Sequence, residues 1–258
     1  NEGLLCYNID NKECSFINND IINNPSCIRT LKKNEVYISN GSNIYNVVPV
    51  FENGVISSIN IIKELNTEYS IKTFDIEDSG KIWIGTINNG VSVYSSFNSS
   101  TILMRLLEYK RISEVLFLAD GNYCISTFDV GVYCYTIKDK MFNKLTFNGL
   151  KLPQILKYKK DCLLIKNNRK LYCYNLSQNK LTDFVIKNNK ALQNDIKSIC
   201  TDSFGTLWIL TKKNHLLSYD ESYNIKEYDD VKLLLLKNDA PQIFISDPFV
   251  LSFLILML

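Results

Sequence analysis

Two columns of residues recur down this sequence at a nearly fixed separation, and that recurrence restricts the fold more than any other feature. The first column is apolar or aromatic and sits inside short strand-like strings: Tyr37 in EVYISN, Trp83 in KIWIGT, Cys124 in NYCIST, Leu163 in DCLLIK, Trp208 in TLWILT and Phe244 in QIFISD. The second is Tyr or an equivalent: Val47, Tyr94, Tyr135, Tyr174 and Tyr219, with Tyr7 of GLLCY as an unpaired earlier copy. The second column trails the first by 10 residues in the first pair and by 11 in the other four, yet it recurs at intervals of 40, 47, 41, 39 and 45 residues. A steady offset inside a drifting period means a rigid hairpin, copied along the chain and joined by loops of variable length.

Each unit begins with a turn signal such as Asp78-Ser79-Gly80, Asp120-Gly121 or Asp202-Ser203-Phe204-Gly205, where Asp bonds its own backbone and Gly supplies positive φ. A first-column strand follows, then a short polar loop and a second-column strand. A further strand (near Lys144 to Phe147, or Lys180 to Val185) precedes the opening strand of the next unit (Ser113 to Leu118, or Ile196 to Thr201). Four short strands per period of about 40 to 45 residues is the signature of a propeller blade. The fold class is therefore all-β: a β-propeller of four-stranded antiparallel blades, with either six blades or a fragment of a seven-bladed ring. A single domain is expected over 1–248, with blades at about 25–68, 69–108, 109–147, 148–190 and 191–230. Residues 1–18 supply the last two strands of a half-blade and 231–247 the first two of another. The two halves complete one another in a six-bladed ring, which removes exposed strand edges. If Phe249 to Phe253 is instead another copy of the Tyr-column strand, the chain is a piece of a larger ring. Residues 249–258 form an apolar tail whose status as strand, span fragment or terminus stays open; a helix crossing a bilayer needs about 20 apolar residues.

Composition agrees with strands. Ile, Val, Tyr, Phe and Thr abound while Ala is scarce. No 3.6-residue apolar period of useful length appears, and Ile102 to Tyr109 is too short and too strand-compatible to count. The 29 basic and 27 acidic residues are interspersed, so no basic stripe points to nucleic acid. The eight Cys lack metal-ligand spacing; Cys6, Cys124, Cys134, Cys162, Cys173 and Cys200 lie in apolar runs and read as small buried hydrophobes, their disulfide state left open. No metal and no cofactor is expected. The one His, His215, has no nucleophile motif beside it, and GxSxG, P-loop and GxGxxG strings are absent. No catalytic residue is assigned, although paired carboxylates of a lyase or glycosidase are invisible to sequence alone.

The strings DSGKIWIGTINNGVSVY from Asp78 and DSFGTLWILTKKNHLLSYD from Asp202 resemble the two-component regulator propeller repeat. Asp78, Gly80, Trp83, Gly85, Thr86, Gly90 and Tyr94 match its pattern, as do Asp202, Gly205, Trp208, Thr211, Tyr219 and Asp220. The resemblance is sharp in these two units; elsewhere Cys124 and Leu163 replace Trp, and Leu210 replaces Gly. It implies the periplasmic sensor region of a hybrid two-component histidine kinase of Bacteroidetes type. Catalysis would then reside in cytoplasmic domains outside this chain, and the membrane span outside the covered domain. The implied ligand is a small molecule or an oligosaccharide, and a homodimer is compatible with it. A protein-interaction scaffold without ligand sensing is the alternative.

Binding residues on propellers gather on loops held by a rigid scaffold. The within-blade loops offer Asn88, Asn89, Phe128, Asp129, Asn168, Arg169 and Lys212, and the between-blade loops offer Tyr69, Tyr109, Arg111 and Asn194. Trp83 and Trp208, in mid-strand within apolar runs, are expected to pack between blades rather than stack on sugar.

Overall fold

The computed structural model describes residues 4–256 apart from 9–13, 18, 24, 33–34, 54, 120, 129–130, 146–153, 160, 168–169, 187–195, 203–204, 214, 221, 223, 229–241 and 246–251. Among the described residues every regular element is a β-strand. Five four-stranded antiparallel sheets use consecutive strands. These are β3 to β6 (Pro25–Lys32, Glu35–Asn40, Asn43–Glu52, Val55–Asn66) and β7 to β10 (Ile71–Ile76, Ile82–Thr86, Val91–Ser96, Ser99–Leu106). The next are β11 to β14 (Ile112–Ala119, Asn122–Thr127, Gly131–Thr136, Met141–Leu145) and β15 to β18 (Gln154–Lys159, Cys162–Asn167, Lys170–Asn175, Lys180–Asp183). The fifth is β19 to β22 (Ile196–Thr201, Leu207–Thr211, Leu216–Tyr219, Ile225–Tyr228). A further sheet joins the two ends of the chain in the order β2-β1-β24-β23, from β1 (Leu4–Asn8), β2 (Cys14–Ile17), β23 (Gln242–Ile245) and β24 (Ser252–Leu256). The architecture is an all-β propeller of four-stranded blades: five contiguous blades and one composite sheet.

That composite sheet decides among the alternatives for the tail and corrects one expectation. Residues 252–256, in the supposed tail, are a strand that pairs with both β1 and β23. Phe244, assigned to the first column, lies on β23, the opening strand of its sheet, and β24 holds the second place instead. Residues 231–241, expected to supply strand, lie outside the described residues.

The chain divides into two compact units, one of residues 1–40, 45–63 and 185–258 and the other of 41–44 and 64–184. In the first, a core of Leu4, Cys6 and Ile17 from the composite sheet packs with Ile28, Ile38, Val47 and Ile56 from the β3–β6 blade. Alternation on each strand makes this possible, because residues two apart share a face.

In the second unit the β7–β10, β11–β14 and β15–β18 blades pack in sequence. Strand β8 is buried along its whole length, covered on both faces. Trp83 stacks on Tyr123 of the next blade with ring centroids 3.5 Å apart and planes 21° from parallel, and it also meets Tyr135. The Trp thus seals the seam between blades, which removes it from any sugar-binding surface. The opening strands are tied across blades by polar contacts. Asp75 Oδ2 accepts the Phe117 N–H at 2.6 Å, Thr73 Oγ1 donates to Glu114 Oε1 at 2.9 Å, and Lys157 Nζ donates to the Leu118 carbonyl at 2.6 Å.

Register refines the repeat. Trp83 faces Val93, Cys124 faces Cys134 and Trp208 faces Ser218, whereas in the β15–β18 blade the equivalent pair is Leu164 with Cys173. Leu163 pairs with Tyr174 as Ile82 does with Tyr94. The first column there is therefore Leu164, not Leu163, because the hairpin closes with Asn167 opposite Lys170 and is one residue shorter.

The opening turn also needs correction. Asp202 N–H bonds the Thr206 carbonyl, Gly205 N–H bonds the Asp202 carbonyl, and Asp202 Oδ2 accepts the Trp208 indole N–H at 2.9 Å. The same three bonds elsewhere involve Glu77 with Lys81, Gly80 with Glu77, and Trp83 with Glu77 Oε1 at 2.8 Å. Glu77, not Asp78, is the counterpart of Asp202. Its longer side chain spans the same hairpin and still reaches the indole.

Cysteine also departs from expectation in one blade. Cys162 and Cys173 form a disulfide with Cα atoms 6.0 Å apart, while Cys6, Cys27, Cys124 and Cys200 are buried.

Candidate functional site

Three loops at one end of the β7–β10 and β11–β14 blades converge on a single rim. The first joins β8 to β9. Thr86 closes it: the Thr86 N–H and Oγ1 both donate to the Gly90 carbonyl at 2.9 Å, and Oγ1 accepts the Asn89 N–H at 2.9 Å. Asn88 and Asn89 are thereby held at the tip. The third loop, after β12, repeats the device, with Thr127 Oγ1 donating to the Gly131 carbonyl at 3.2 Å.

The second loop, residues 107–111, joins the two blades and is clamped between the other two. Gly90 N–H donates to the Lys110 carbonyl at 3.0 Å, and Phe128 N–H donates to the Arg111 carbonyl at 2.9 Å. Gly90 has φ +71°, and a Cβ there would stand 2.3 Å from the Leu107 carbonyl oxygen, so only glycine fits. Leu107 and Tyr109 themselves have φ of 50° and 62°. Two bulky residues in left-handed conformation within three positions cost energy that the two clamps offset.

The clamp lifts Tyr109 into solvent, where it is 85% exposed, the highest value for a large hydrophobic among the described residues. Beside it the Arg111 guanidinium lies 5.0 Å from the centre of the Phe128 ring. The backbone bonds thus bring the loop segments that carry Asn88, Asn89, Tyr109 and Arg111 to one rim, with the Tyr109 ring exposed. Such a surface suits the apolar face and hydroxyl edge of a sugar ring.

Tyr69 lies apart in role. Its ring sits under Arg105, 5.8 Å from the centroid, and Arg105 pairs with Glu68 at 2.8 Å. The loop carrying it is tied to Gly41 and Ser42 by Thr67 and Ile71. Lys212 is exposed in the β20–β21 loop of the other unit, where Thr211 Oγ1 accepts the His215 N–H. His215 pairs with Glu227 across the β21–β22 hairpin. Asp129, Asn168, Arg169 and Asn194 lie outside the described residues. Among the described residues no group of three His, Cys, Asp or Glu side chains is placed to hold a metal.

A second feature escaped the sequence. At the opposite strand ends a cavity of about 380 Å³ opens between the β11–β14 and β15–β18 blades, lined by Asn122, Cys134, Asn143, Asp161, Tyr174 and Asn179 among others. Where Trp83 fills the preceding seam, Cys124 stands in the equivalent register and faces Leu163.

Residues 191–213 match the model of the family described as two component regulator propeller. No curated protein matches the sequence. Among solved structures, the chain is similar to the extracellular domain of a Bacteroides thetaiotaomicron protein designated hybrid two component system BT3049, at 17% identity and a TM-score of 0.52 over 95% of this chain and 39% of that one. It is similar to the extracellular domain of BT4673 from the same organism, at 16% identity and a TM-score of 0.56 over 90% of this chain and 32% of that one. It is also similar to a catalytically inactive virginiamycin B lyase from Staphylococcus aureus solved with quinupristin, at 16% identity and a TM-score of 0.62 over 98% of this chain and 87% of that one. The chain thus spans about a third of the length of the two-component extracellular domains it resembles. At these identities the likeness establishes the propeller fold.

Proposed function

We propose that this chain, which carries the two-component regulator propeller repeat, is a ligand-sensing extracytoplasmic segment of a hybrid two-component sensor histidine kinase. In this reading it lies on the periplasmic side of the inner membrane, does no catalysis itself, and signals to domains beyond the chain. Its ligand is a glycan or a glycan breakdown product. The observation that carries the reading is the rim around Tyr109: a strained, doubly clamped loop that holds an aromatic ring in solvent and is bonded through its backbone to the loops on either side. Strain of this kind persists where the surrounding structure over-determines it, and it clusters at ligand clamps.

A ligand bound there shifts a signalling equilibrium only by its differential affinity for the two states. The loop at 107–111 is well placed for that, because it connects two blades and contacts both. Calorimetry against a panel of neutral and acidic oligosaccharides tests the assignment. Binding should appear for at least one member and weaken at least tenfold in Tyr109→Ala, with the melting temperature unchanged. Binding equally strong in Tyr109→Ala moves the site off this rim, and silence across the panel favours a protein-docking propeller.

The lyase-like TM-score favours a second reading, that of a propeller enzyme. Incubation with quinupristin separates the two: chromatographic disappearance of the substrate supports the lyase, and its persistence supports the sensor.

A further inference from the structure

Cys124 on β12 and Cys134 on β13 are register partners in the β11–β14 blade, and their Sγ atoms lie 3.0 Å apart. Directly opposed residues of antiparallel strands have Cα atoms about 4.5–5.5 Å apart. That range lies within the roughly 4.4–6.8 Å that a disulfide accepts. The next blade already carries a disulfide between its corresponding strands, Cys162 on β16 with Cys173 on β17.

The two thiols differ in access. Cys124 is fully buried, whereas Cys134 is half-buried and forms part of the wall of the 380 Å³ cavity. We propose that Cys124 and Cys134 are a redox modification site, oxidised to a second cross-strand disulfide by small disulfide molecules that reach Cys134 through this cavity. Cys134 attacks and Cys124 resolves. The Cys134 thiolate attacks one sulfur of a low-molecular-weight disulfide, forming a mixed disulfide and releasing one thiolate. The Cys124 sulfur, giving up its proton, then attacks Cys134 Sγ and releases the second thiolate. Two protein thiols lose two electrons and two protons, and the oxidant gains them as two thiols.

The local electrostatics point the same way. The hydrogen bond from Cys124 lowers the Cys134 pKa against the opposing effect of burial, and Cys124 is pushed well up by that same bond and by burial. The thiolate therefore forms first at the member facing the cavity, where the oxidant arrives.

Both cysteines fall in one tryptic peptide, residues 112–138, so the state of the pair is read directly. The native chain is exposed to cystine, alkylated with iodoacetamide after denaturation, digested and weighed. The peptide should lose alkylation at least tenfold, weigh two hydrogens less than the dithiol form, and recover both alkyl groups after dithiothreitol. In Cys124→Ala, Cys134 should stop at a stable cysteine adduct. Three results overturn the proposal: undiminished alkylation of 112–138, adducts on Cys124 as frequent as on Cys134, or a bond from Cys134 to any other cysteine. The wild-type measurement needs no variant, so a folding defect in Cys124→Ala leaves the proposal testable.

Discussion

Trp83 stands between two requirements that a single indole meets at once: its ring fills the seam against Tyr123, and its N–H is bonded by Glu77. Removing the acid leaves a buried donor unpaired, which costs about 1–3 kcal/mol, whereas Trp83→Ala loses both ring and bond and is expected to cost about 3–5 kcal/mol. Chemical denaturation should rank the variants in that order. Glu77 also makes stability depend on pH. Burial opposes its charge, but the hydroxyls of Ser79 and Tyr123, the Trp83 indole and the Lys81 ammonium outweigh it, so the pKa is lowered on folding. A carboxyl lowered in the folded state contributes stability above its unfolded pKa and loses it as pH falls through the folded value. Melting temperature should therefore drop below the ordinary glutamate range near pH 4.3, and Glu77→Gln should flatten that part of the profile. An equal slope in Glu77→Gln assigns the acid sensitivity to other carboxylates.

Among the elements, the hairpin after β8 shows how a loop takes its shape from hydrogen bonds rather than from apolar burial. Thr86 bonds across the turn, and Gly90 lets the 107–111 loop approach to within contact of its backbone. Gly90→Ala forces a Cβ against two carbonyl oxygens at a positive φ, so the loop must retreat. The expected result is a fall of several degrees in melting temperature together with weakened binding at the Tyr109 rim. Gly80→Ala, also at positive φ but with nothing within 4 Å, serves as the control: it should lower stability and leave binding intact. If both glycine variants bind alike, the clamp does not govern the rim.

For the whole molecule the decisive contact is the sheet made from both chain ends. Strand β24 lies between β1 and β23, so removing 252–258 strips each of a partner. Ending the chain at residue 251 should abolish the cooperative melt of the unit built on Leu4, Cys6 and Ile17, as seen by circular dichroism. It should also expose strand edges that promote association in light scattering. A truncated chain that melts as the full one does would show that the terminal pairing contributes nothing.

Much of this was legible in the sequence and some was not, for identifiable reasons. The two columns exposed the hairpin, the blade and the role of Trp83, because burial between blades calls for an apolar residue at the same place in each copy. The columns also misplaced Leu163 for Leu164 and Asp78 for Glu77. A hairpin one residue shorter shifts the spacing between columns, whereas Glu77 keeps the six-residue separation from its Trp that Asp202 has, so there the change of residue type, beside an adjacent Asp, hid the counterpart. Phe244 was assigned to the wrong strand because an apolar string carries no mark of its position in a sheet. The sequence places its binding candidates on loops, yet the positive φ of Leu107 and Tyr109 and the hydrogen bonds between blades that accompany it are announced by no spacing. The sequence by itself determined a chain of four-stranded repeats, through periodicity that only stacked strands satisfy. Tertiary structure alone decided which side chains meet across the seams: Trp83 on Tyr123, Cys124 beside Cys134, β24 between β1 and β23. Those meetings depend on register and on neighbours distant in the chain, and pairwise contact energies act on positions in space rather than on order in sequence.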